Sequence, residues 1–246
     1  MNVPELVAPG GSFEAMEAAF DHGADAVYAG LSSYNLRARA PNFDIEGFEH
    51  ALRHAHERGK RLYLALNTMP TAHQTDQIGK ILDNLSDRRA YPDAVIVSDP
   101  GVMDLCRGVF KEVPLHLSTQ TGAFNVHAAR FWLRNGISRI VVPRELNLDQ
   151  ARALCDAGIP CEIFIHGAMC VSLSGRCLLG AYLAGRHANH GDCPQPCRYR
   201  YRIIPEGGTE ELEAEENGDG VYLLNARDLN TLSILDRIVA TGATAL

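Results

Sequence analysis

Four cysteines within one short stretch have the clearest chemical potential in this sequence. They are separated by six, fifteen and three residues, and they are Cys170, Cys177, Cys193 and Cys197. Thiolates are the usual protein ligands of zinc and of iron–sulfur clusters, and both kinds of site commonly take four ligands. Glycines and prolines are frequent between the cysteines, which favours a loop folded around a metal over a helix or a strand. We therefore expect the four thiolates to hold one metal centre, preferably a cubane 4Fe-4S cluster.

Two other interpretations of these cysteines stay open on spacing alone. Structural zinc sites usually carry closely spaced C-x₂₋₄-C pairs, and only Cys193 and Cys197 are that close. Disulfides belong mainly to secreted proteins, whereas this sequence begins directly with a predicted strand and shows no signal peptide. Zinc is therefore the alternative metal, and unligated thiols are the third case. Cys106, Cys155 and Cys161 fall in predicted helices and a predicted strand, and we expect them to pack as small apolar residues.

The composition limits the class of protein. A chain of 246 residues can bury a large core, and its length suits a single α/β barrel. No apolar run reaches the ~20 residues that a membrane-spanning helix requires. The net charge of −7 argues against a broad surface that coats nucleic acid, although it allows a local basic site. These features predict a globular, cytoplasmic protein.

Strand and helix patterns alternate along most of the chain. Short apolar strands, such as 94–97 and 137–142, alternate with helices that end at glycines such as Gly59 and Gly136. Continuously apolar strands indicate a parallel sheet that is covered on both faces, and the short connections favour a TIM-like (β/α)8 barrel. A doubly wound open sheet is the competing architecture, but no G-x-G-x-x-G motif follows the first strand. The predicted helices are 13–22, 45–58, 75–87, 100–111, 125–134 and 148–156.

The region after the seventh predicted strand, 160–165, departs from this alternation. We expect one domain, 1–246, in which residues 167–224 form a Cys-rich metal loop and a small β insertion. The insertion has predicted strands at 199–204 and 221–224, joined by an acidic, glycine-rich link that should be exposed. A helix at 231–241 and the start of an eighth strand at 242–246 follow. The last helix of the barrel is expected to be missing from this sequence.

Polar residues at the ends of the predicted strands are the candidate site, because a parallel barrel places its active site at the C-terminal strand ends. Arginines there could bind a carboxylate or phosphate, amides could orient a carbonyl or hydroxyl, and a carboxylate or imidazole could transfer protons. Each could instead be an ordinary rim residue. The candidates are Arg37, Asn67 and Gln120 for substrate binding, and Arg144, Glu145 and His166 for catalysis. The cysteine stretch follows the seventh strand, so we expect the metal at this same end.

The stretch 198–202 alternates arginine and tyrosine. In a strand, its three arginines would project from one face and its two tyrosines from the other. Such a strand could contact an RNA backbone or stack a base. A charged edge strand that only keeps the protein soluble is the simpler alternative.

These motifs together resemble the collagenase-like peptidase family (unknown-type peptidase family 32). The most specific match is Glu162-Ile-Phe-Ile-His-Gly-Ala-Met-Cys170 followed by Ser174-Gly-Arg-Cys177-Leu-Leu. The supporting matches cover nearly the whole chain and are 6–11, 23–30, 117–120, 142–145, 193–198 and 225–229. The family normally continues beyond the eighth strand, so we expect its C-terminal part to be absent from this sequence.

The resemblance implies two functions. Some members are peptidases that degrade collagen. Others are iron–sulfur proteins that install hydroxyl groups without molecular oxygen on a transfer-RNA uridine, a ribosomal-RNA cytidine or a quinone precursor. Prephenate is the implied oxygen donor of the RNA-directed members, and the four cysteines match their cluster ligands.

We predict an enzyme, an iron–sulfur-dependent hydroxylase that acts on RNA with a prephenate-like carboxylate as oxygen donor. The sequence shows neither a G-x-S-x-G nor an H-E-x-x-H motif, which disfavours a peptidase. The collagenase-like peptidase remains the first alternative. Hydroxylation of a quinone precursor, or a binding module with a structural metal, is the second. The sequence also leaves open a partner subunit of the same family.

Overall fold

The structure is a computed structural model that describes residues 3–36, 40–199, 216–217, 220–221 and 228–246. Seven parallel strands form one sheet in which each strand pairs with the next along the chain, and a helix lies between each successive pair. This sequential parallel order is that of a TIM-like barrel, so the predicted fold class is confirmed. The strands are β1 (Val7–Pro9), β2 (Ala26–Gly30), β3 (Arg61–Leu66), β4 (Ala94–Val97), β5 (Leu115–Leu117), β6 (Arg139–Val141) and β7 (Cys161–Glu162).

The helices begin and end close to the predicted positions because polar caps and glycines mark them in the sequence. The Ser12 hydroxyl accepts a hydrogen bond from the Ala15 amide at 3.2 Å and starts the first helix. Gly59 follows the second helix with a positive φ of 65°. The six helices of the barrel are α1 (Phe13–Asp21), α2 (Ile45–Glu57), α3 (Ala72–Asp87), α4 (Pro100–Val109), α5 (Val126–Arg134) and α6 (Leu148–Asp156).

Alternation along the strands builds two apolar layers. In β3, Leu62, Leu64 and Leu66 are buried against the helix layer. The intervening Tyr63 packs inside the barrel with residues such as Ala26. Successive side chains of a strand point to opposite faces, so one buried strand supplies both layers.

A short segment at the end of the sequence joins the first and seventh strands. Ala245 forms parallel bridges with both Glu5 and Glu162. The Leu246 amide donates a hydrogen bond to the Glu5 carbonyl at 2.8 Å. This segment occupies the position of the predicted eighth strand and closes the sheet into a cylinder.

The start of α3 was predicted three residues too late. The helix begins at Ala72, because the Gln74 side chain accepts a hydrogen bond from the Thr71 amide at 2.8 Å. This is one half of a capping box, in which the third helical residue reaches back to the cap. The prediction of a start at residue 75 did not take this capping box into account.

The region after β7 contains the main corrections. The strand predicted to reach residue 165 ends at Glu162, and His166–Gly167 forms a separate strand, β8, antiparallel to β11 (Leu229–Asn230). The cysteine stretch was expected to be free of helix, but it contains α7 (Leu179–Ala184). The predicted helix 231–241 is shorter, because α8 (Leu235–Val239) follows a 3-10 turn at Leu232–Ile234.

The predicted β insertion is described only in part. A two-stranded antiparallel pair joins β9 (Glu216–Asn217) to β10 (Gly220–Val221), and β9 lies within the stretch predicted as a link. Most of the predicted strands 199–204 and 221–224 lies outside the described residues. The division into one domain with an insertion at 167–224 therefore stays a prediction. Across the part of the chain that the structure describes, no helix is both long and apolar enough to cross a bilayer.

Candidate active site at the C-terminal end of the barrel

Four polar side chains form a hydrogen-bonded network at the C-terminal ends of β3, β4 and β5. Gln120 is buried in the 3-10 turn after β5, and the Ser118 hydroxyl donates to its Oε1. The Ser98 hydroxyl lies 3.1 Å from both Gln120 Oε1 and the Asn67 carbonyl. Asn67 Nδ2 in turn donates to Ser118 Oγ at 3.5 Å. Because hydroxyls occupy the oxygen of Gln120, its Nε2 faces Gly175, 3.6 Å from where a Cβ on that residue would lie.

A small cleft lies between this network and the cysteine stretch. Three predicted site residues, Gln120, Arg144 and Glu145, therefore share one cleft with a predicted metal ligand, Cys170. The residues lining the cleft are Thr119, Gln120, Arg144, Glu145, Met169, Cys170, Ser174 and Gly175. They come from loops that follow β5, β6 and β7, as expected for the catalytic end of a parallel barrel.

Arg144 is held against an aromatic ring beside the cleft. Its guanidinium carbon lies 3.8 Å from the centroid of the Phe164 ring, which fixes the plane of the guanidinium by a cation–π contact. Arg144 also acts electrostatically on Cys170. Desolvation raises the pKa of that thiol, and the positive charge of Arg144 opposes the increase. A fixed, half-buried arginine beside a thiol is suited to bind an anion in the cleft.

Glu145 supports the cysteine stretch. Its carboxylate accepts hydrogen bonds from the backbone amide of Ser174 and, at 3.3 Å, from the Ser174 hydroxyl. Ser174 has a positive φ of 49°, a conformation that is uncommon for a residue with a side chain. Glu145 therefore stabilises a strained turn three residues before Cys177. The geometry indicates a positioning role more directly than the predicted proton transfer.

The four cysteines share one neighbourhood. Cys170 and Cys193 are exposed, Cys197 is half-buried and Cys177 is buried. Desolvation raises the pKa of Cys197, and the negative charges of the three other cysteines in their thiolate form raise it further. Within the described residues, however, no group of three or more histidine, cysteine, aspartate or glutamate side chains is placed to hold a metal ion. The thiols are therefore neighbours that do not form a closed single-ion site.

The cysteine stretch is held in place by its own hydrogen bonds. The Asn189 side chain accepts from the Cys177 amide at 3.1 Å and donates to the Cys177 carbonyl at 3.3 Å. The Asn189 carbonyl accepts from the Met69 amide at 3.0 Å, which ties the stretch to the loop after β3. A Cβ on Gly180 would lie 2.8 Å from the Arg186 carbonyl oxygen, so only glycine allows this close approach. These contacts hold the cysteine stretch against the loop after β3.

The remaining predicted site residues have different positions. Asn67 belongs to the network below the cleft, and its Oδ1 accepts from the Leu36 amide at 3.1 Å. His166 is exposed, pairs through its backbone with Asn230, and is not among the described residues that line the cleft. Arg37 lies outside the described residues.

The sequence analysis missed three contributors to this site. Ser98 follows β4 and belongs to the polar network, Phe164 packs against the Arg144 guanidinium, and Ser174 donates a hydrogen bond to Glu145. Strand-end position could have identified Ser98, since it directly follows β4. The pairing of Glu145 with Ser174 spans 29 residues and leaves no local signal in the sequence.

Comparison with known proteins identifies the family. The model of peptidase family U32 matches residues 11–246. The chain belongs to peptidase family U32. Its sequence is 36% identical over 249 residues to the tRNA hydroxylation protein P of Helicobacter pylori, covering 99% of this chain and 58% of that protein. It is 33% identical over 251 residues to a protein of Porphyromonas gingivalis named collagenase, covering 97% of this chain and 58% of that protein.

Comparison with solved structures agrees with the barrel fold. A solved structure described as a U32 peptidase superposes with a TM-score of 0.56 at 14% identity, covering 69% of this chain and 71% of that one. At this identity the likeness shows the fold alone. This U32 chain spans about three fifths of the length of the curated relatives that it matches.

Proposed function

We propose that this U32 protein is an oxygen-independent hydroxylase of RNA, with a transfer-RNA uridine as substrate. The observation that supports the proposal is the shared cleft, in which Cys170 lies beside Arg144, Glu145 and Gln120 at the catalytic end of the barrel. The name of the Helicobacter relative supports the same chemistry. A cytoplasmic location follows from such a substrate.

In this proposal, Cys170, Cys177, Cys193 and Cys197 hold a 4Fe-4S cluster. The donor set has the right number and type of ligands, and each thiol lies within electrostatic reach of others in the set. One zinc ion would need four sulfur atoms at about 2.3 Å from the metal. A cubane accepts more widely spaced thiolates, because each binds a different iron atom. The number and type of the four donors are the support for a cluster in this proposal.

The residues of the chain would prepare the cleft for a small carboxylate donor. Arg144, fixed on Phe164, binds the carboxylate of a prephenate-like molecule. Gln120 Nε2 donates a hydrogen bond to an oxygen atom of this molecule, since Gln120 Oε1 already accepts from serine hydroxyls. Glu145 keeps the turn at Ser174 in place. When bound, the cluster would supply electron transfer or activation of an oxygen-rich ligand.

Metal analysis tests the cluster. Protein purified without oxygen should be brown, with about four iron atoms and a similar amount of acid-labile sulfide per chain. Cys193→Ser should lose most of the iron, because a thiolate ligand is removed. The matched control is Cys155→Ser, a half-buried cysteine outside the stretch, which should keep its iron. A colourless wild-type protein with one zinc ion would contradict the proposal.

Nucleoside mass spectrometry tests the substrate. A strain that lacks the gene should lack a hydroxylated uridine in its transfer RNA, and the wild-type gene should restore it. The Cys193→Ser variant should not restore the modification, whereas Cys155→Ser should. Unchanged nucleosides in the deletion strain would contradict RNA hydroxylation.

A peptidase is the second candidate, and the relative named collagenase is the observation that favours it. Gelatin cleavage by the metal-free wild-type protein, persisting when Cys170 and Cys193 are both changed to serine, would support this function. Hydroxylation of a quinone precursor has less support, because the name of the Helicobacter relative points to transfer RNA.

A further inference from the structure

Exposed apolar side chains are concentrated in the cysteine stretch. Six of the eleven large apolar side chains that are exposed among the described residues lie between positions 171 and 199. Tyr182, on α7, is 87% exposed, and Tyr199 is 46% exposed. The 3-10 turn that directly precedes Tyr199, Pro196–Arg198, packs against α7. Clusters of this kind mark interaction surfaces more often than isolated exposed residues do.

The same stretch is basic in an acidic protein. Between residues 166 and 199 there are three arginines, Arg176, Arg186 and Arg198, and one acidic residue, Asp192, so the segment carries a net charge of +2. The whole chain carries −7. Arg176 is exposed and makes no ion pair with any residue that the structure describes. Arg186 is paired with Asp192 and Arg198 with Asp228, both at 2.8 Å, so the positive charge that this segment offers to a polyanion comes mainly from Arg176.

We propose that this aromatic–basic face, formed by Tyr182, Arg186, Arg198 and Tyr199, binds single-stranded RNA together with Arg176, which follows the cleft residue Gly175. The two exposed tyrosines stack bases, and Arg176 contacts a phosphate. Arg186 lies within electrostatic reach of Tyr199 and is oriented by Asp192, whose Oδ1 lies 2.8 Å from its Nη2. Stacking on aromatic rings with arginines along the backbone is the usual way in which proteins bind unpaired nucleotides. The inference rests on the proposed function and names the surface that presents its RNA substrate.

Charge favours RNA over a second copy of the chain as the occupant. A two-fold dimer through this face would place the same patch on both sides of the interface. Two faces that each keep a net positive charge, +2 in the segment and +1 when Asp228 on Arg198 is counted, would then face each other, which disfavours the contact. A single strand of RNA brings the opposite charge and planar bases that match the tyrosines.

Fluorescence anisotropy with a labelled single-stranded oligouridylate tests the face on the whole protein. Tyr182→Ala should weaken binding roughly tenfold, because one stacking platform is lost. Tyr182→Phe keeps the ring and should bind like the wild type. Tyr91→Ala removes a tyrosine that is 43% exposed outside the stretch and should leave binding unchanged. Arg176→Gln should reduce the slope of log affinity against log salt by about 0.7, as expected for one lost phosphate contact.

Two outcomes would overturn the inference. Tyr182→Ala could bind RNA like the wild type, or it could change only the sedimentation of the protein, which would identify a self-association surface. The melting temperatures of the two Tyr182 variants should equal that of the wild type, since Tyr182 is almost fully exposed. Nucleoside analysis separates the two proposals. Intact uridine hydroxylation with a Tyr182→Ala variant that binds normally rejects the face alone. Specific RNA binding at the face without any hydroxylation by the wild type rejects the proposed function alone.

Discussion

The two ends of the barrel differ in how their buried polar groups are paired. Near the N-terminal ends of the strands, the Glu5 side chain is 6% exposed and pairs with Arg139 at 2.7 Å and with Arg61 at 2.8 Å. At the C-terminal ends, neutral hydroxyls and amides around Gln120 satisfy one another. Ion pairs at the N-terminal end hold the first, third and sixth strands together. At the C-terminal end, the hydrogen-bonded network below the cleft consists of uncharged side chains.

The ionic end also shows stronger perturbation of its titrating groups. Burial raises the pKa of Glu162 to about 7, although Arg139 lies 3.4 Å away and favours its charged form. Burial, together with the positive charges of Arg139 and Arg61, lowers the pKa of His116 to about 3. Perturbed groups often mark functional sites, but structural ion-pair networks produce them too. In this barrel, the buried ion pairs lie at the N-terminal end and the proposed chemistry lies at the C-terminal end, as in other parallel barrels.

The largest effect should come from breaking the ionic end. Glu5→Ala leaves Arg139 without its closest buried partner, and removing one member of a buried ion pair costs roughly 3–5 kcal/mol of unfolding free energy. Urea unfolding followed by circular dichroism measures this loss. The control is Arg53→Ala, which breaks an exposed pair with Glu49 and should cost less than about 0.5 kcal/mol. Equal losses for the two variants would remove the distinction between the two ends.

The second effect is the dependence of stability on pH through Glu162. Its pKa in the folded protein, about 7, lies above the unfolded value of 4.5, so the folded state holds the proton more tightly. This contribution to stability is fully present below pH 4.5 and is lost as the pH rises through 7. Relative to Glu162→Gln, the wild type should therefore lose roughly 3 kcal/mol between pH 4.5 and pH 8. A constant difference between the two proteins across this range would contradict the assignment.

Local patterns explain how much of this fold could be predicted. The bounds of β3 and α6 follow from apolar runs and caps that lie within a few residues of each element. The pairing of His166 with Asn230 could not be predicted, because a two-residue bridge between distant segments has no periodicity to detect. The closure of the barrel by Ala245 was predictable, since the alternation required an eighth strand.

The candidate site divides in the same way. The strand-end rule placed Gln120, Arg144, Glu145 and Cys170 together, and the structure brings them to one cleft. The rule cannot state which atoms of a side chain are already occupied. It could not foresee that the Glu145 carboxylate accepts hydrogen bonds from Ser174, and its assignment of Glu145 to proton transfer stays a prediction. It also placed His166 at the end of a strand that stops four residues earlier.

The smallest expected change in stability is at the C-terminal end of the barrel. It tests whether Gln120 only supports the hydrogen-bonded network or also binds the substrate. Gln120→Leu removes the acceptor of the Ser118 hydroxyl and should cost about 1–3 kcal/mol, less than Glu5→Ala. Gln120→Glu keeps a carbonyl-type acceptor for both serines but replaces the Nε2 donor. If that donor holds an oxygen of the substrate, Gln120→Glu should lose uridine hydroxylation in the complementation assay, and urea unfolding measures separately the stability lost by burying the new carboxylate. Hydroxylation retained by Gln120→Glu and lost by Gln120→Leu would show instead that the residue only supports the hydrogen-bonded network below the cleft. Because the two variants differ in the donor and share the position, their comparison decides whether the neutral network is part of the chemistry.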